Sequence, residues 1–292
     1  MQHVNLPDGR SLAYDSIGSS DALPLVFHHG SPGGAVRLRP LTEAAYKHGL
    51  RLITFSRPGY GTSTPHPGRS IADVAADVTE LLDALGTEKF LTMGHSGGGP
   101  HALACAALLP QRCLGAAIVA GVGPFAAPGL DFLEGMAPEN LAEFGAAVKG
   151  TSELDAYLSA EAQGLATVRP EDVVAALGGL VGPADQAALT GDALEHMVET
   201  MHYAVSSGIA GWREDDLAFA NDWGFALEDI RVPVSVWQGV QDRMVPLAHA
   251  LWLADNVPGA ALHVESQDGH LSLWSRFGDI VGDLLVAVTE NS

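Results

Sequence analysis

Apolar residues fall into two kinds of run that alternate along the chain. Short continuous ones, bounded by Gly, Pro or polar clusters, occur at Leu25–His28, Leu50–Phe55, Phe90–Met93, Leu114–Ala120, Val234–Trp237 and Ala261–Val264. Runs of this kind predict buried strands. Between them the spacing turns helical: Ile71, Val74, Val78, Leu81, Leu82 and Leu85 share one face, with Ser70 as the N-cap and Gly86 as the C′ residue. Further helices are expected at His101–Leu109, Pro246–Asn256 and Leu273–Thr289. Near the N-terminus, Val4–Leu6 and Leu12–Ile17 flank Pro7-Asp8-Gly9-Arg10, which predicts an antiparallel hairpin. Strand and helix in alternation predict an α/β fold, a mostly parallel sheet with helices on both faces.

The alternation stops after residue 123 and resumes at residue 231. Roughly a hundred residues without strand character are too many for a loop inside a compact domain. Helical stretches at Glu139–Val148, Glu153–Gln163, Pro170–Leu180 and Ala193–Val205 predict an inserted helical cap over 124–230, set on a core made of 1–123 and 231–292.

The candidate chemistry begins at Phe90-Leu91-Thr92-Met93-Gly94-His95-Ser96-Gly97-Gly98-Gly99-Pro100. A strand that turns at once into a helix has no room for a Cβ on either side of the turn, and Gly94 and Gly98 stand at those places. Ser96 is left at the apex, in the arrangement of a nucleophile elbow. The helix that follows aims its unpaired N–H groups at the spot where an oxyanion would form.

A serine hydroxyl reacts only when a base takes its proton, so a histidine oriented by a carboxylate is required elsewhere. Asp242 follows the strand ending at Trp237, and His270 follows the one ending near Val264. Both therefore belong on loops at the carboxyl ends of parallel strands. Asp268 is a rival for the acid, though at two residues from His270 it suits the shaping of a turn, and Asp242 itself suits a capping position before Pro246. The oxyanion donors expected are the backbone N–H groups of Gly97 and of Ser31, the latter in the glycine-rich turn His29-Gly30-Ser31-Pro32-Gly33-Gly34.

The formal net charge of -20 opposes binding to nucleic acid or to anionic lipid surfaces. No basic region and apolar core open the chain, no run is long enough for a bilayer, and the two cysteines, Cys105 and Cys113, have neither metal nor redox spacing. The expectation is a cytoplasmic protein, monomer or homodimer, with a small-molecule substrate, no cofactor and no metal.

Together, His29-Gly30-Ser31-Pro32-Gly33, Arg57-Pro58-Gly59-Tyr60-Gly61-Thr62-Ser63, Gly94-His95-Ser96-Gly97-Gly98, Gly239 through Asp242 with Val245-Pro246, and Gly269-His270 resemble the α/β-hydrolase superfamily, in its cap-bearing form. Ser56 stands where members usually carry Asp. The resemblance implies a serine hydrolase working through an acyl-enzyme, with Ser96, Asp242 and His270 as triad. A carboxylesterase for small to medium hydrophobic esters is the expected activity. An apolar pocket is expected from Phe125, Met136, Trp212 and Trp223 in the cap and from Met244 and Leu271 beside the triad. Two other readings stay open. One is a peptidase similar to prolyl aminopeptidases, with Glu214 or Asp215 pairing a free amine, although those enzymes usually have Trp where Gly97 stands. The other is a ligand receptor that retains the triad.

Overall fold

The computed structural model describes residues 1–291. Its strands are β1 (Gln2–Asn5), β2 (Ser11–Ile17), β3 (Pro24–His28), β4 (Arg51–Phe55), β5 (Phe90–His95), β6 (Cys113–Val119), β7 (Val234–Gly239) and β8 (Ala261–Glu265). Its helices are α1 (Arg39–Lys47), α2 (Val74–Ala84), α3 (Gly98–Leu108), α4 (Pro138–Ala147), α5 (Thr151–Leu165), α6 (Val173–Leu177), α7 (Pro183–Ala188), α8 (Asp192–Val205), α9 (Ala210–Ala220), α10 (Leu247–Asn256) and α11 (Phe277–Glu290).

The strands form one sheet in the order β1-β2-β4-β3-β5-β6-β7-β8, antiparallel at the β1–β2 and β2–β4 pairs and parallel from there on. This is the α/β-hydrolase fold. The period of two along a strand divides the core. On one side Val26, Phe90, Ile118 and Val236 pack with α2 and α3. On the other Leu25, Leu91, Met93 and Val119 pack with α1 and α11. Burial on both faces explains why these strands read as continuous apolar runs rather than alternating ones. The parallel register brings His28 level with Gly94 and Val119 level with His95. The loops that leave β3, β5, β6 and β7 thus open at one edge.

The stretch between β6 and β7 holds α4 through α9, and no strand lies there among the described residues. Tyr60, on the loop after β4, is buried with Leu154, Leu158, Ala204 and Trp212 of these helices.

Some boundaries differ from expectation. The helix expected from Ile71 with Ser70 as N-cap starts instead at Val74, because the Ser70 N–H and hydroxyl both donate to Asp73, at 2.7 and 2.9 Å. At its other end Gly86 has the left-handed φ of 66° that a C′ residue adopts. The helix expected over Pro170–Leu180 is broken into a turn at Pro170–Asp172, the short α6 and a further turn at Gly178–Leu180. Helices α1, α7 and α9 are additional to the sequence reading.

Candidate active site

Ser96 sits between β5 and α3 with a left-handed φ of 55°, which costs a non-glycine residue about a kilocalorie or more per mole and persists only where the surroundings enforce it. Here the surroundings are backbone. A Cβ on Gly94 would overlap the Gly98 carbonyl, and one on Gly98 would overlap the His28 carbonyl. The Ser96 N–H is held by the Val119 carbonyl at 2.9 Å. The first turn of α3 begins beside it, where N–H groups have no carbonyl one turn earlier to bond.

His270 and Asp242 meet above the strand ends. Asp242 Oδ2 lies 2.8 Å from His270 Nδ1. The same oxygen accepts from Gln238 Nε2 at 2.9 Å, while Oδ1 accepts the N–H groups of Met244 and Val245, both at 2.8 Å. Asp242 thus shapes its own turn and orients the histidine at once, so the capping geometry and the partner role coexist. Asp268, the rival, is bound to Arg276 Nε at 2.9 Å instead. Burial works against charging His270, yet the charge and hydrogen bond of Asp242 outweigh it and raise the ring above its ordinary value. His95, His101 and His249 are held below the ordinary value, in each case chiefly by burial. They bond backbone: His95 faces the His270 carbonyl at 3.2 Å, and His101 the Gly97 carbonyl at 2.9 Å.

Sequence reasoning missed Asp185, a fully buried residue of α7. Its carboxylate accepts the N–H groups of His270, Leu271 and Ser272 at 3.0, 2.8 and 3.0 Å. The short helix after His270 needs such an acceptor at its start, but the residue that supplies it lies far back in the chain, where local pattern gives no sign.

The turn after β3 lies against the elbow. A Cβ added to Gly97 would come within 2.7 Å of Ser31 Oγ and 2.8 Å of the Phe219 ring. Ser31 Oγ donates to Asp215 at 2.5 Å. Asp215 also accepts from Arg57 Nη2 at 2.6 Å, Arg69 Nη2 at 2.6 Å and the Tyr60 hydroxyl at 2.8 Å. Burial opposes its charge, but the two guanidinium groups win and hold it well below the carboxylate range. Arg57 reaches further, donating to the carbonyls of His29 and Gly30 at 2.5 and 3.0 Å. With those carbonyls turned to Arg57, the peptide N–H groups on their far ends, those of Gly30 and Ser31, are polarised in the direction an oxyanion needs.

Ser31, Ser96, Gly97 and His270 line one cavity of about 220 Å³. Of the expected pocket residues, Met136, Trp212, Met244 and Leu271 line it too. Phe125 and Trp223 do not, which corrects the expectation. Phe125 packs on Phe132 with the rings tilted and 4.9 Å between their centres, and Trp223 lies beside Phe225 on a separate groove. Both satisfy the apolar demand of the core rather than of a ligand. Nor are Glu214 and Asp215 open to an amine. Glu214 accepts the Gly68 N–H at 2.6 Å and pairs with Arg213, while Asp215 is enclosed by Arg57 and Arg69. Ser56, in place of the family's Asp, bonds the Ala35 N–H and the Tyr203 hydroxyl, both at 3.0 Å.

Comparison with known proteins matches residues 24–277 to the family described as alpha/beta hydrolase fold. The chain is 30% identical over 260 residues to a non-heme chloroperoxidase of Streptomyces lividans, covering 86% of this chain and 85% of that one. It is 26% identical over 302 aligned positions to a 2-hydroxy-6-oxononadienedioate/2-hydroxy-6-oxononatrienedioate hydrolase of Paraburkholderia phymatum, covering 97% and 95%. Among solved structures, an esterase from Exiguobacterium antarcticum superimposes with a TM-score of 0.70 over 98% of both chains at 19% identity, a likeness of fold.

Proposed function

Because the chain belongs to the α/β-hydrolase fold family and is a hydrolase of that family, we propose that it is a serine carboxylesterase that works through an acyl-enzyme on small to medium esters. The observation that carries this reading is the 2.8 Å contact between His270 Nδ1 and Asp242 Oδ2, with His270 opening on the same cavity as Ser96. Ser96 Oγ attacks the ester carbonyl as His270 takes its proton. Asp242 keeps the ring's other nitrogen protonated and stabilises the imidazolium. The N–H groups of Gly97 and Ser31 receive the developing negative charge, and the Arg57 bonds to the turn's carbonyls strengthen the Ser31 donor. His270 returns the proton to the departing alcohol, and water then repeats the sequence on the acyl-serine.

In the same reading residues 124–230 form the cap, a lid that walls the cavity through α4, α5, α8 and α9. The reading is supported by the esterase among the superimposable folds and by the hydrolases among the relatives. Its test is labelling by a fluorophosphonate probe together with hydrolysis of nitrophenyl esters. Both should be present in the native protein and absent in Ser96→Ala. An unlabelled native protein, or a Ser96→Ala variant with undiminished rate, would overturn it.

A further inference from the structure

One wall of the cavity takes no part in the chemistry described above. Glu139 and Glu143 on α4, Glu161 on α5 and Asp216 on α9 all line it, and no Lys or Arg does among the described residues. The charges of all four act, after burial, to raise the phenol of Tyr157, which lines the same cavity.

These groups are not all occupied. Asp216 is only 1% exposed, yet its Oδ2 is buried without a hydrogen-bond partner, and so is Glu139 Oε2. Glu139 keeps its other oxygen on the Gly179 N–H at 2.8 Å. Glu143 accepts from Trp212 Nε1 at 2.6 Å and meets the Asp216 carboxyl, and burial raises both acids above the ordinary range. The contrast with the preceding residue is informative. Asp215 shares the helix and the burial of Asp216, but it is saturated by Arg57, Arg69, Tyr60 and Ser31. A buried carboxyl oxygen with no donor is left with an unmet hydrogen bond, at a cost to the fold. An open acceptor in the cavity that Ser96 lines is therefore placed for a donor that arrives from outside.

The geometry points to an ammonium subsite: Asp216, with Glu143 and Glu139 beside it, receives a protonated amine carried by the substrate whose ester reaches Ser96. An ammonium has three N–H donors and no acceptor, which matches a cluster with more carboxyl oxygens than donors, Glu143 and Asp216 already sharing a hydrogen bond between them. Among the described residues no three His, Cys, Asp or Glu side chains are grouped to hold a metal ion, and the cation of this inference is an amine. Trp212, which holds Glu143, adds an aromatic wall of the kind that favours cations. The substrate class is then an ester with an amine on its acyl chain or its alcohol, and a carboxylate at that position is repelled. The catalytic half of this inference rests on Ser96 as nucleophile; the cation subsite does not.

The test uses the native protein and nitrophenyl esters of one chain length whose acyl chain ends in an ammonium, a methyl or a carboxylate. The ammonium ester should exceed the methyl ester in kcat/KM by about tenfold or more, the range of a charge-assisted hydrogen bond, and the carboxylate ester should fall below both. In Asp216→Asn the ammonium-to-methyl ratio should drop to about one, whatever the absolute rates, by the loss of that bond. Glu143→Gln serves the same purpose if Asp216→Asn does not fold. A separate arm titrates Ser96→Ala with hexylammonium and with hexanol by calorimetry. Binding of the cation alone, lost on adding Asp216→Asn, supports the subsite even if no ester is turned over, in which case only the esterase reading falls. No preference for the ammonium ester, or one that survives both substitutions, overturns the subsite, as does hexylammonium binding no tighter than hexanol.

Discussion

The backbone N–H of His270 donates to the carboxylate of Asp185 at 3.0 Å, a hydrogen bond that spans 85 positions of sequence and fixes the candidate base from behind. The same carboxylate takes the N–H groups of Leu271 and Ser272, so Asp185→Ala leaves three buried donors without acceptors. The expected loss is about 3 kcal/mol of stability, from a penalty of roughly one per unsatisfied group, together with a fall in kcat as the imidazole loses its fixed position. Urea denaturation and ester kinetics on the same preparation check both. A variant as stable and as active as the native protein would remove Asp185 from the account.

Gly97 has no space for a methyl group. A Cβ there meets Ser31 Oγ at 2.7 Å and Phe219 at 2.8 Å, and either contact displaces a wall of the elbow. Gly97→Ala should lower kcat by roughly a hundredfold, the effect of losing one oxyanion donor, while KM changes little because ground-state binding makes small use of that donor. Stopped-flow measurement of acyl-enzyme formation would show whether the chemical step is the one affected.

The pH dependence follows from His270. The base must be neutral to act, and its pKa is raised, since Asp242 outweighs the effect of burial. The acid limb of kcat/KM should therefore have its midpoint above the usual imidazole value of about 6.5. Asp242→Asn should move that midpoint down while lowering the rate roughly ten-thousandfold. For stability the sign is reversed: protonated His270 favours the fold, its contribution is complete below about 6.5, and it fades as pH rises through the folded-state value. A midpoint below the usual value in the native enzyme would show that burial, not Asp242, governs the ring.

Trp212 and Trp223 should separate in their effect on substrate. Trp212 lines the cavity and donates to Glu143, whereas Trp223 lies on another groove. Trp212→Ala should change KM for nitrophenyl esters several-fold or more, while Trp223→Ala should cost about 3 kcal/mol or more in stability with KM retained. Thermal unfolding and initial rates on the pair would distinguish the two sites.

Legibility in the sequence followed from how local the cause was. The central strands could be read because both faces of the sheet are covered there, which makes each run apolar throughout, and the elbow because Gly94 must clear the Gly98 carbonyl four residues on. Asp242 and His270 could be placed because each follows a strand directly. Helix α9 was not legible. Its segment Trp212-Arg213-Glu214-Asp215-Asp216 turns acidic side chains inward, where Glu214, Asp215 and Asp216 are buried, so the amphipathic pattern of a surface helix is absent. Asp185 escaped notice because its partners lie on a distant loop. The expectation for the pocket fails at Phe125 and Trp223 because a large aromatic on a connecting segment serves packing and binding equally well in composition, and only contact distinguishes them.

Helix α9 both braces the turn at Ser31 through Asp215 and walls the cavity through Trp212, Asp216 and Phe219. Remodelling the enzyme for bulkier compounds from that side would disturb the machinery it supports. A different stretch of the wall, Leu165, Met197 and Thr200 on α5 and α8, makes no hydrogen bond to that turn among the described residues. It is the place where evolution or a designer has freedom to enlarge the chamber without loosening the turn.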